Sequence, residues 1–269
     1  MGFFKRGFGF LFRYGYALVS CLYLFTLGLS KNRNRILIGS IASHFGYVRI
    51  RTKLPVVALS ALTADAEDVQ VREPVAGDGN VTLLELLAIV RLVRRHGPRR
   101  LMELGTFDGR TTLNLAANSP PDAEVFTLDL PQDDLHNAQL PLAAWDKHYI
   151  KKDVSGARYQ GADCAGKIVQ LFGDSATFDF SPYLQTVDFV FIDASHAYEY
   201  VLSDSQAALK MLRRGDGGGT KVILWHDYGE WEGVTRALDE LARREPDFQE
   251  LQHIEKTSLA CLIVEAKTP

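Results

Sequence analysis

The chain has 269 residues, of which 46% are hydrophobic and 23% are charged. These proportions are typical of globular proteins and exclude a disordered, collagen-like or small disulfide-rich chain. The length allows one large domain or two small ones. The three cysteines, Cys21, Cys164 and Cys261, are widely separated and odd in number. Their pattern indicates a reducing compartment and argues against cysteine ligands for zinc.

The charge is distributed unevenly along the chain. Residues 1–64 contain nine basic residues and no acidic residue, whereas the remainder contains 21 basic and 33 acidic residues. An acidic body argues against nucleic acid as a partner, because no basic face for phosphates is evident there. We therefore expect two regions that lie in different environments. They are a basic hydrophobic segment, residues 1–60, and a domain, residues 61–269.

An uncharged run of sixteen residues, 14–29, has cations on both sides. A helix of that length spans about 24 Å, which is less than the ~30 Å hydrocarbon core of a bilayer. Three alternatives stay open: a helix in a membrane interface, a buried or oligomer-forming helix, and a short spanning anchor. We expect a cytoplasmic protein whose residues 1–35 contact the inner face of a membrane or support a homo-oligomer.

The body alternates strands with helices. Apolar runs predict seven strands, at residues 100–104, 124–128, 168–172, 187–192, 221–225, 248–254 and 259–264. Helical periodicity predicts helices at residues 83–95, 111–117, 201–212 and 233–244. This order indicates an α/β fold with a mostly parallel, Rossmann-like sheet covered on both faces. Ligands of such sheets bind beyond the carboxyl ends of the strands.

Glycines and acids follow the first three of these strands. Gly105 and Gly109 lie in an ExGxxxG pattern and allow a sharp turn with close approach of a ligand. The pattern is not the GxGxxG of dinucleotide binders, which argues against a dehydrogenase. Asp129 follows the second strand, where an acid can accept hydrogen bonds from both hydroxyls of a ribose. Asp174, with Ser175 beside it, follows the third strand and could reach an adenine amino group.

Several segments together resemble the class I S-adenosylmethionine-dependent methyltransferases, in the branch with IDxxHxYE and HDY segments. They read ELGTFDGRTT, TLDLP, FGDS, FIDASHAYEYVLSD and ILWHDYGEWEGV. The resemblance covers residues 75–265 and not residues 1–60. It implies a seven-stranded sheet whose last strand is inserted antiparallel, and S-adenosylmethionine as the cofactor.

The resemblance also implies roles for individual residues around the cofactor. The turn after the first strand would line the methionine end through Glu103, Gly105, Thr106, Phe107 and Gly109. Asp129 would bind the ribose, and Asp174 and Ser175 would lie beside the edge of the adenine ring. Asp193 would also contact the cofactor.

A second group of polar residues follows the fourth and fifth strands. Asp193, His196, His226 and Asp227 should converge, because adjacent parallel strands end at the same edge of the sheet. Methyl transfer to a hydroxyl needs a group that removes or polarises its proton while oxygen, methyl and sulfur are held in line. A histidine can take the proton, and a divalent ion can lower the pKa of the hydroxyl.

This arrangement is similar to that of metal-dependent O-methyltransferases that act on sugar hydroxyls of macrolides. The similarity implies that Asp193 and Asp227 bind magnesium or manganese and that His196 is the general base. His226 stands where those enzymes have a second acid, so it is a metal ligand, a second base or a group that hydrogen-bonds the substrate. An imidazole ligand favours manganese, iron or zinc over magnesium.

Two further features border this predicted site. The long insertion of residues 131–165 should cover the acceptor, and Lys151 and Lys152 either contact an anionic substrate or form a solvated turn. Three aromatic residues either form a wall over the substrate or pack in the core: Tyr198, Tyr228 and Trp231.

These observations predict an O-methyltransferase that uses S-adenosylmethionine and a hydroxylated small molecule or glycan as acceptor. Two alternatives stay open. One is a metal-free or N-directed methyltransferase of the same fold, and the other is a cofactor-binding or membrane-attached protein without catalysis.

Overall fold

The computed structural model describes residues 2–44, 50–63, 68–143, 145–152, 154–213 and 219–264. The chain forms two compact units, Met1–Arg49 and Ile50–Pro269. The boundary lies about ten residues before the one expected from the charge pattern, because residues 54–57 belong to the core and the sheet of the second unit.

The first unit consists of helices. They are α1 (Gly2–Leu24), a 3-10 turn (Leu27–Ser30) and α2 (Asn32–His44). The uncharged run of residues 14–29 is thus not one helix, since α1 ends before Thr26, whose hydroxyl donates to the Leu22 carbonyl at 2.6 Å. Within the described residues, no helix has both the length and the apolar character needed to cross a bilayer.

The second unit is built around one sheet of eight strands. In chain order they are β1 (Val56–Val57), β2 (Arg100–Leu104), β3 (Glu124–Asp129), β4 (Ile168–Phe172), β5 (Phe189–Ile192), β6 (Lys221–Trp225), β7 (Gln252–Ile254) and β8 (Ala260–Val264). Their spatial order is β1-β7-β8-β6-β5-β2-β3-β4. Every pairing is parallel except those of β8, which runs antiparallel to both β6 and β7. The predicted Rossmann-like α/β sheet with an inserted last strand is confirmed.

The sheet has one strand more than the seven expected. The extra strand, β1, pairs with β7 in parallel and has only two residues. So short a strand lacks the alternating run of four or more residues by which strands are recognised in a sequence. Beside it, the Tyr228 hydroxyl accepts hydrogen bonds from the backbone N–H groups of Lys53 and Leu54 at 2.8 and 2.9 Å. These contacts fix the start of the second unit to the sheet.

Six further helices accompany the sheet. They are α3 (Leu59–Leu62), α4 (Leu83–His96), α5 (Arg110–Asn118), α6 (Asp146–Ile150), α7 (Tyr198–Met211) and α8 (Glu232–Arg244). The helix predicted at 83–95 is confirmed as α4. It begins with a capping box of Thr82 and Glu85 and ends at Gly97, whose φ of +53° places it in the left-handed region.

Two hydrophobic cores cover the two faces of the sheet. Met102 and Leu104 of β2 point into the core formed with α7 and α8, whereas Leu101 points into the core formed with α4 and α5. This alternation is the period of two that a strand buried on both faces must have. The sheet is therefore rigid on both sides, and its carboxyl edge is the platform on which polar loops are placed.

Asp204 of α7 is a buried acid beneath that platform. Its side chain is fully buried, and neither carboxylate oxygen has a hydrogen-bond partner of good geometry. Burial raises the pKa of Asp204 to about 7, and Ser175 only partly offsets the effect.

We expect Asp204 to make the protein less stable as pH rises from about 4 to about 7. The unfolded chain loses this proton near pH 3.9, whereas the folded chain keeps it up to about pH 7. The unfolded state thus binds fewer protons in this window, and the free energy of unfolding falls with pH.

Urea unfolding at several pH values measures this effect, and the free energy of unfolding should fall less steeply with pH in Asp204→Asn than in the parent. The control Asp133→Asn, which replaces an exposed acid, should keep the slope of the parent. An unchanged slope in Asp204→Asn would contradict the assignment.

Candidate functional site

A cleft with about 640 Å³ of empty space lies at the carboxyl edge of the sheet. Its walls come from the loops after β2, β3, β4 and β5 and from the insertion between β3 and β4. Six of the residues predicted to bind the cofactor line it: Gly105, Phe107, Asp129, Asp174, Ser175 and Asp193. The structure thus brings these six residues together in one cleft.

The turn after β2 approaches the loop after β5 so closely that only glycine fits. Gly105 has φ +98°, and a Cβ added there would lie 2.0 Å from the carbonyl oxygen of Asp193. Gly109 has φ +84° and begins α5, and its added Cβ would lie 2.7 Å from Gly156 of the insertion. Phe107, between them, also has a positive φ of +48°, which costs energy in a residue with a side chain.

Three other residues assigned to the cofactor lie behind this turn and do not line the cleft. Glu103 is fully buried and accepts hydrogen bonds from the hydroxyls of Thr112 and Thr127. Burial raises the pKa of Glu103 to about 8, although the two hydroxyls oppose the shift. Thr106 is buried and pairs with the Thr127 hydroxyl at 2.7 Å, and Gly109 packs under the insertion. In this structure these residues support the turn.

Asp129, at the end of β3, faces the cleft but is already paired. Its Oδ2 lies 2.8 Å from Lys152 Nζ and accepts a hydrogen bond from the Ser155 hydroxyl. The Lys152 side chain is only 14% exposed, so it is neither a solvated turn residue nor free for an anionic substrate. A ligand that needs the carboxylate of Asp129 has to share it with Lys152 or displace this side chain.

Asp174 and Ser175 form the turn after β4. The Asp174 carboxylate accepts hydrogen bonds from the backbone N–H groups of Ala176 at 3.0 Å and Gln139 at 2.8 Å. In the structure, the Asp174 carboxylate thus stabilises the turn after β4 and links the insertion to this turn. Both residues still line the cleft, at its end away from Asp193.

A second, smaller cavity of about 240 Å³ lies on the other side of the loop after β5. Residues 193–196 line both cavities, so one four-residue loop separates them. The smaller cavity contains the predicted polar group of Asp193, His196, His226 and Asp227. The structure thus brings the four residues together, as the order of the strands predicted.

Three of these residues have the arrangement of a metal site. Asp193, His226 and Asp227 each offer one ligand atom, and the three atoms lie within 4.8 Å of one another. His226 Nδ1 is 3.1 Å from Asp193 Oδ1 and 3.3 Å from Asp227 Oδ2. Two carboxylates and one imidazole are donors that suit a divalent ion such as manganese. Asp227 has φ +66°, and its N–H donates to the Ser258 hydroxyl at 3.2 Å, which holds the strained residue in place.

His196 lies between two carboxylates. Its Nε2 is 2.8 Å from Asp227 Oδ2, and its Nδ1 is 2.5 Å from Asp146 Oδ1. The ring of Trp231 stacks on the imidazole with a centroid distance of 4.3 Å. Of the three aromatic residues considered for a wall, only Trp231 contacts this group. Tyr198 pairs with Glu240, and Tyr228 packs in the core.

Two acids of this group were not predicted from the sequence. Glu85 of α4 lies 3.4 Å from His226 Nε2 and also accepts hydrogen bonds from the N–H and hydroxyl of Ser258, both at 2.7 Å. Asp146 of α6 contacts His196, as described above. The T-x-x-E signal of a capping box marks Glu85 as a helix-start residue but says nothing of a site 141 residues away. Asp146 lies in the insertion and carries no motif.

The surrounding acids determine the protonation of both histidines. Burial alone would lower the pKa of His226, but Asp193 and Asp227 outweigh it and hold that pKa well above its ordinary value. For His196, Asp146 and Asp227 likewise outweigh burial and raise the pKa to about 10. In return, the two imidazolium ions keep the pKa of Asp227 below its usual range despite burial. The surrounding carboxylates therefore favour the protonated form of each imidazole.

A family model described as a methyltransferase domain matches residues 102–228, a little under half of the chain. The match begins in β2 and ends just after β6, so it includes every residue that lines the cleft and all residues that line the smaller cavity except Val234. No curated protein matches the chain.

Several solved structures are similar to the chain. The O-methyltransferase TomG from Streptomyces achromogenes, in complex with SAM, is 21% identical with a TM-score of 0.48, and the similarity covers 84% of this chain and 96% of that one. An O-methyltransferase from Bacillus cereus in complex with SAH is 19% identical with a TM-score of 0.49, over 70% and 84%. An SAH-bound methyltransferase from Podospora anserina is 16% identical with a TM-score of 0.49, over 71% and 81%.

We expect Gly105→Ala to destabilise the protein far more than Gly97→Ala. Both glycines have positive φ, and the left-handed backbone alone costs an alanine about 1–2 kcal/mol. At Gly97 an added Cβ meets no atom within 4 Å, whereas at Gly105 it would overlap the Asp193 carbonyl. The added overlap should bring the total for Gly105→Ala to about 3 kcal/mol or more. Urea unfolding of the two variants measures the difference, and equal losses would show that the close approach is not required.

Proposed function

We propose that this chain is an S-adenosylmethionine-dependent methyltransferase that methylates a hydroxyl of a small molecule or glycan. The observation that carries the proposal is the loop of residues 193–196, which lines the large cleft on one side and the group of acids and histidines on the other. His196 also lines the large cleft, so a methyl donor in the cleft and an acceptor hydroxyl beside His196 would meet there. The match of residues 102–228 to a methyltransferase domain supports the same class of reaction.

The cleft has the features that the cofactor needs. Gly105 allows the sulfonium end to approach the backbone, and Asp129 offers a carboxylate to the ribose hydroxyls. Asp174 and Ser175 lie at the end of the cleft where the adenine would be placed. The pairing of Asp129 with Lys152 adds one requirement, because the ribose hydroxyls have to share the carboxylate with this ammonium group or replace it.

Asp193, His226 and Asp227 are the residues that would hold a divalent metal ion. A bound ion would polarise the acceptor hydroxyl and lower its pKa, so that the oxygen becomes a nucleophile near neutral pH. The imidazole in this set favours manganese over magnesium.

His196 is the proposed general base. Nδ1 faces Asp146, so Nε2 is the ring nitrogen on the side of Asp227 and the smaller cavity. His196 releases the proton on Nε2 to solvent and then takes the acceptor proton at the same nitrogen. The acceptor oxygen forms a bond to the methyl carbon while the carbon–sulfur bond breaks, and the products are a methyl ether and S-adenosylhomocysteine. Trp231, stacked on the ring, excludes water from one face of the base.

The alternatives differ in what this site has to do. A metal-free or N-directed methyltransferase would use the same cleft but would not need Asp193 and Asp227 for metal. A protein that only binds the cofactor would need neither metal nor base. One set of measurements separates the three.

Calorimetric titration of the full chain with S-adenosylhomocysteine, with and without Mn²⁺, is that test. We expect binding that falls about 10- to 100-fold in Asp129→Asn, since a hydrogen bond to a charged group contributes about 1.5–3 kcal/mol. The exposed control Asp133→Asn should bind like the parent. Titration with Mn²⁺ alone should give heat that Asp193→Asn removes. Absence of S-adenosylhomocysteine binding by the parent would overturn the proposal, and binding without any Mn²⁺ effect would favour the metal-free alternative.

The same proteins test the base with radiolabelled S-adenosylmethionine and a panel of catechols, phenolic acids and methyl glycosides as acceptors. His196→Ala should lose about 10²- to 10⁴-fold in rate, the range of general-base catalysis, while it still binds S-adenosylhomocysteine. A fully active His196→Ala variant would exclude this residue as the base.

We also propose that the first unit lies on an anionic lipid surface. Residues 11–29 of this unit expose large apolar side chains, among them Leu11, Phe12, Leu18, Val19 and Leu22, each more than half exposed. The unit and its connection carry cations and no acid up to residue 64. Apolar side chains that enter the headgroup layer and cations that meet anionic lipid are the two components of interfacial binding.

The full chain should bind vesicles of phosphatidylcholine with phosphatidylserine and not vesicles of phosphatidylcholine alone. Replacement of Arg13, Lys31 and Arg33 by Gln should weaken binding at least 10-fold, at about 1 kcal/mol for each cation near the surface. The matched control replaces three exposed cations of the second unit, Arg99, Arg243 and Lys256. Sedimentation measures binding. Equal binding to both vesicle types, or a first-unit variant that binds like the control, would contradict the proposal.

A further inference from the structure

Asp146 is a buried acid whose contacts reach outside its own segment. It is the first residue of the short helix α6 in the insertion, and its side chain is 3% exposed. The Ser195 hydroxyl donates to its Oδ2 at 2.5 Å, and the backbone N–H of His196 lies 3.3 Å from the same oxygen. His196 Nδ1 lies 2.5 Å from Oδ1. From within the insertion, the Ala143 N–H donates to Asp146 Oδ2 at 3.1 Å.

This distribution of contacts distinguishes Asp146 from an ordinary helix cap. A capping acid accepts hydrogen bonds from the first N–H groups of its own helix. Asp146 instead uses both carboxylate oxygens on the loop after β5, which lies 49 and 50 residues away along the chain. Burial of a carboxylate costs free energy unless the carboxylate is paired. Here its partners include the backbone N–H and the ring of His196.

The contact at Nδ1 determines which nitrogen His196 presents to the smaller cavity. With Nδ1–H donating to Asp146, Nε2 is directed toward Asp227. The Trp231 ring stacks on one face of the His196 imidazole and limits the rotation of that imidazole. A base has to present a fixed nitrogen in a fixed tautomer, and a carboxylate on the opposite nitrogen is the means by which proteins achieve this.

The insertion that carries Asp146 also closes the cleft. Tyr149, Ile150 and Lys152 line the cleft together with Asp146, and Lys152 pairs with Asp129 at 2.8 Å. Two residues six positions apart therefore contact the two parts of the site, one the histidine and the other the carboxylate proposed for the ribose. The insertion thus contacts both parts of the site at once.

We propose that Asp146, which the insertion places beside the loop after β5, is the positioning residue for His196. The proposal rests on the proposed function, in which His196 is the base. Asp146 itself contacts neither donor nor acceptor in this scheme.

The test combines a spectroscopic signature with kinetics on the full chain. Histidine is labelled with ¹⁵N, and the ring signals of His196 are identified by their loss in His196→Gln. Asp146→Asn should shift the Nδ1 signal of His196 and leave those of His136, His148 and His253 unchanged. Ser195→Ala, which keeps the carboxylate and removes one of its donors, should shift Nδ1 less. Asp163→Asn, an exposed acid of the same insertion, is the matched control and should shift nothing.

The kinetic arm uses the acceptor that gives the highest rate in the panel described above. We expect kcat of Asp146→Asn to fall about 10- to 100-fold, the usual effect of removing the partner of a functional histidine. KM for S-adenosylmethionine and the affinity for S-adenosylhomocysteine should stay within about twofold of the parent, because the contact acts on the base. A merely structural role would change KM and affinity together with kcat.

An Nδ1 signal that is the same in Asp146→Asn and the parent would overturn the proposal, whatever the activity. If Asp146→Asn shifts Nδ1 but the parent methylates no acceptor and binds no S-adenosylhomocysteine, the proposed function fails and the positioning contact stands. The two ideas can therefore fail separately. Should Asp146→Asn fold poorly, the shift in Ser195→Ala decides, since that variant keeps the buried charge pair, and an unchanged Nδ1 there would then overturn the proposal.

Discussion

The charges at the carboxyl edge of the sheet are buried, and buried charges have to be paired. This constraint organises the site, since removing one partner of a buried pair leaves an uncompensated charge that costs several kcal/mol, about 3–5 in measured cases. The pairs form a continuous chain of contacts in the order Asp146, His196, Asp227, His226 and Glu85, with Asp193 also on His226. The members come from the insertion, the loops after β5 and β6, and helix α4. The pairing thus fixes four segments that are far apart in the sequence.

Asp193 connects this chain of charges to the cleft. Its carbonyl oxygen packs on Gly105, and its carboxylate contacts His226. The backbone of one residue thus forms the floor of the large cavity while its side chain belongs to the small one. A shift of the loop after β5 would change both cavities at once. Phe107 and Asp227, both with positive φ, lie on either side of this loop, so the strained residues of the edge are concentrated where the two cavities meet.

The sequence could predict those parts of the site that follow strands. Gly105, Asp129 and Asp193 each come directly after a run of apolar residues, and Asp227 comes one residue later. Parallel strands bring such positions to one edge. The antiparallel insertion of the last strand, β8, was implied by the resemblance to a known fold.

The sequence could not predict the residues that reach the site from elsewhere. Glu85 is recognisable as part of a helix cap, but its approach to His226 depends on how α4 packs on the sheet. Asp146 and Lys152 lie in an insertion without periodicity, so nothing local indicates that one contacts His196 and the other Asp129. Glu103 and Thr106 do not line the cleft because of the direction of their side chains in a tight turn. A sequence motif does not show this direction. The two-residue strand β1 is set by the open edge of β7 and not by its own sequence.

That short strand has a consequence for the integrity of the sheet. The backbone N–H groups of His253 and Glu255 donate to the carbonyls of Pro55 and Val57 at 2.8 and 2.9 Å, so β1 covers the outer edge of β7. An uncovered edge strand is a template for pairing with another molecule and for aggregation. A shortened version of the protein that begins after Val57 would expose these donors. Two residues that add little area to the sheet thus protect it from edge-to-edge association.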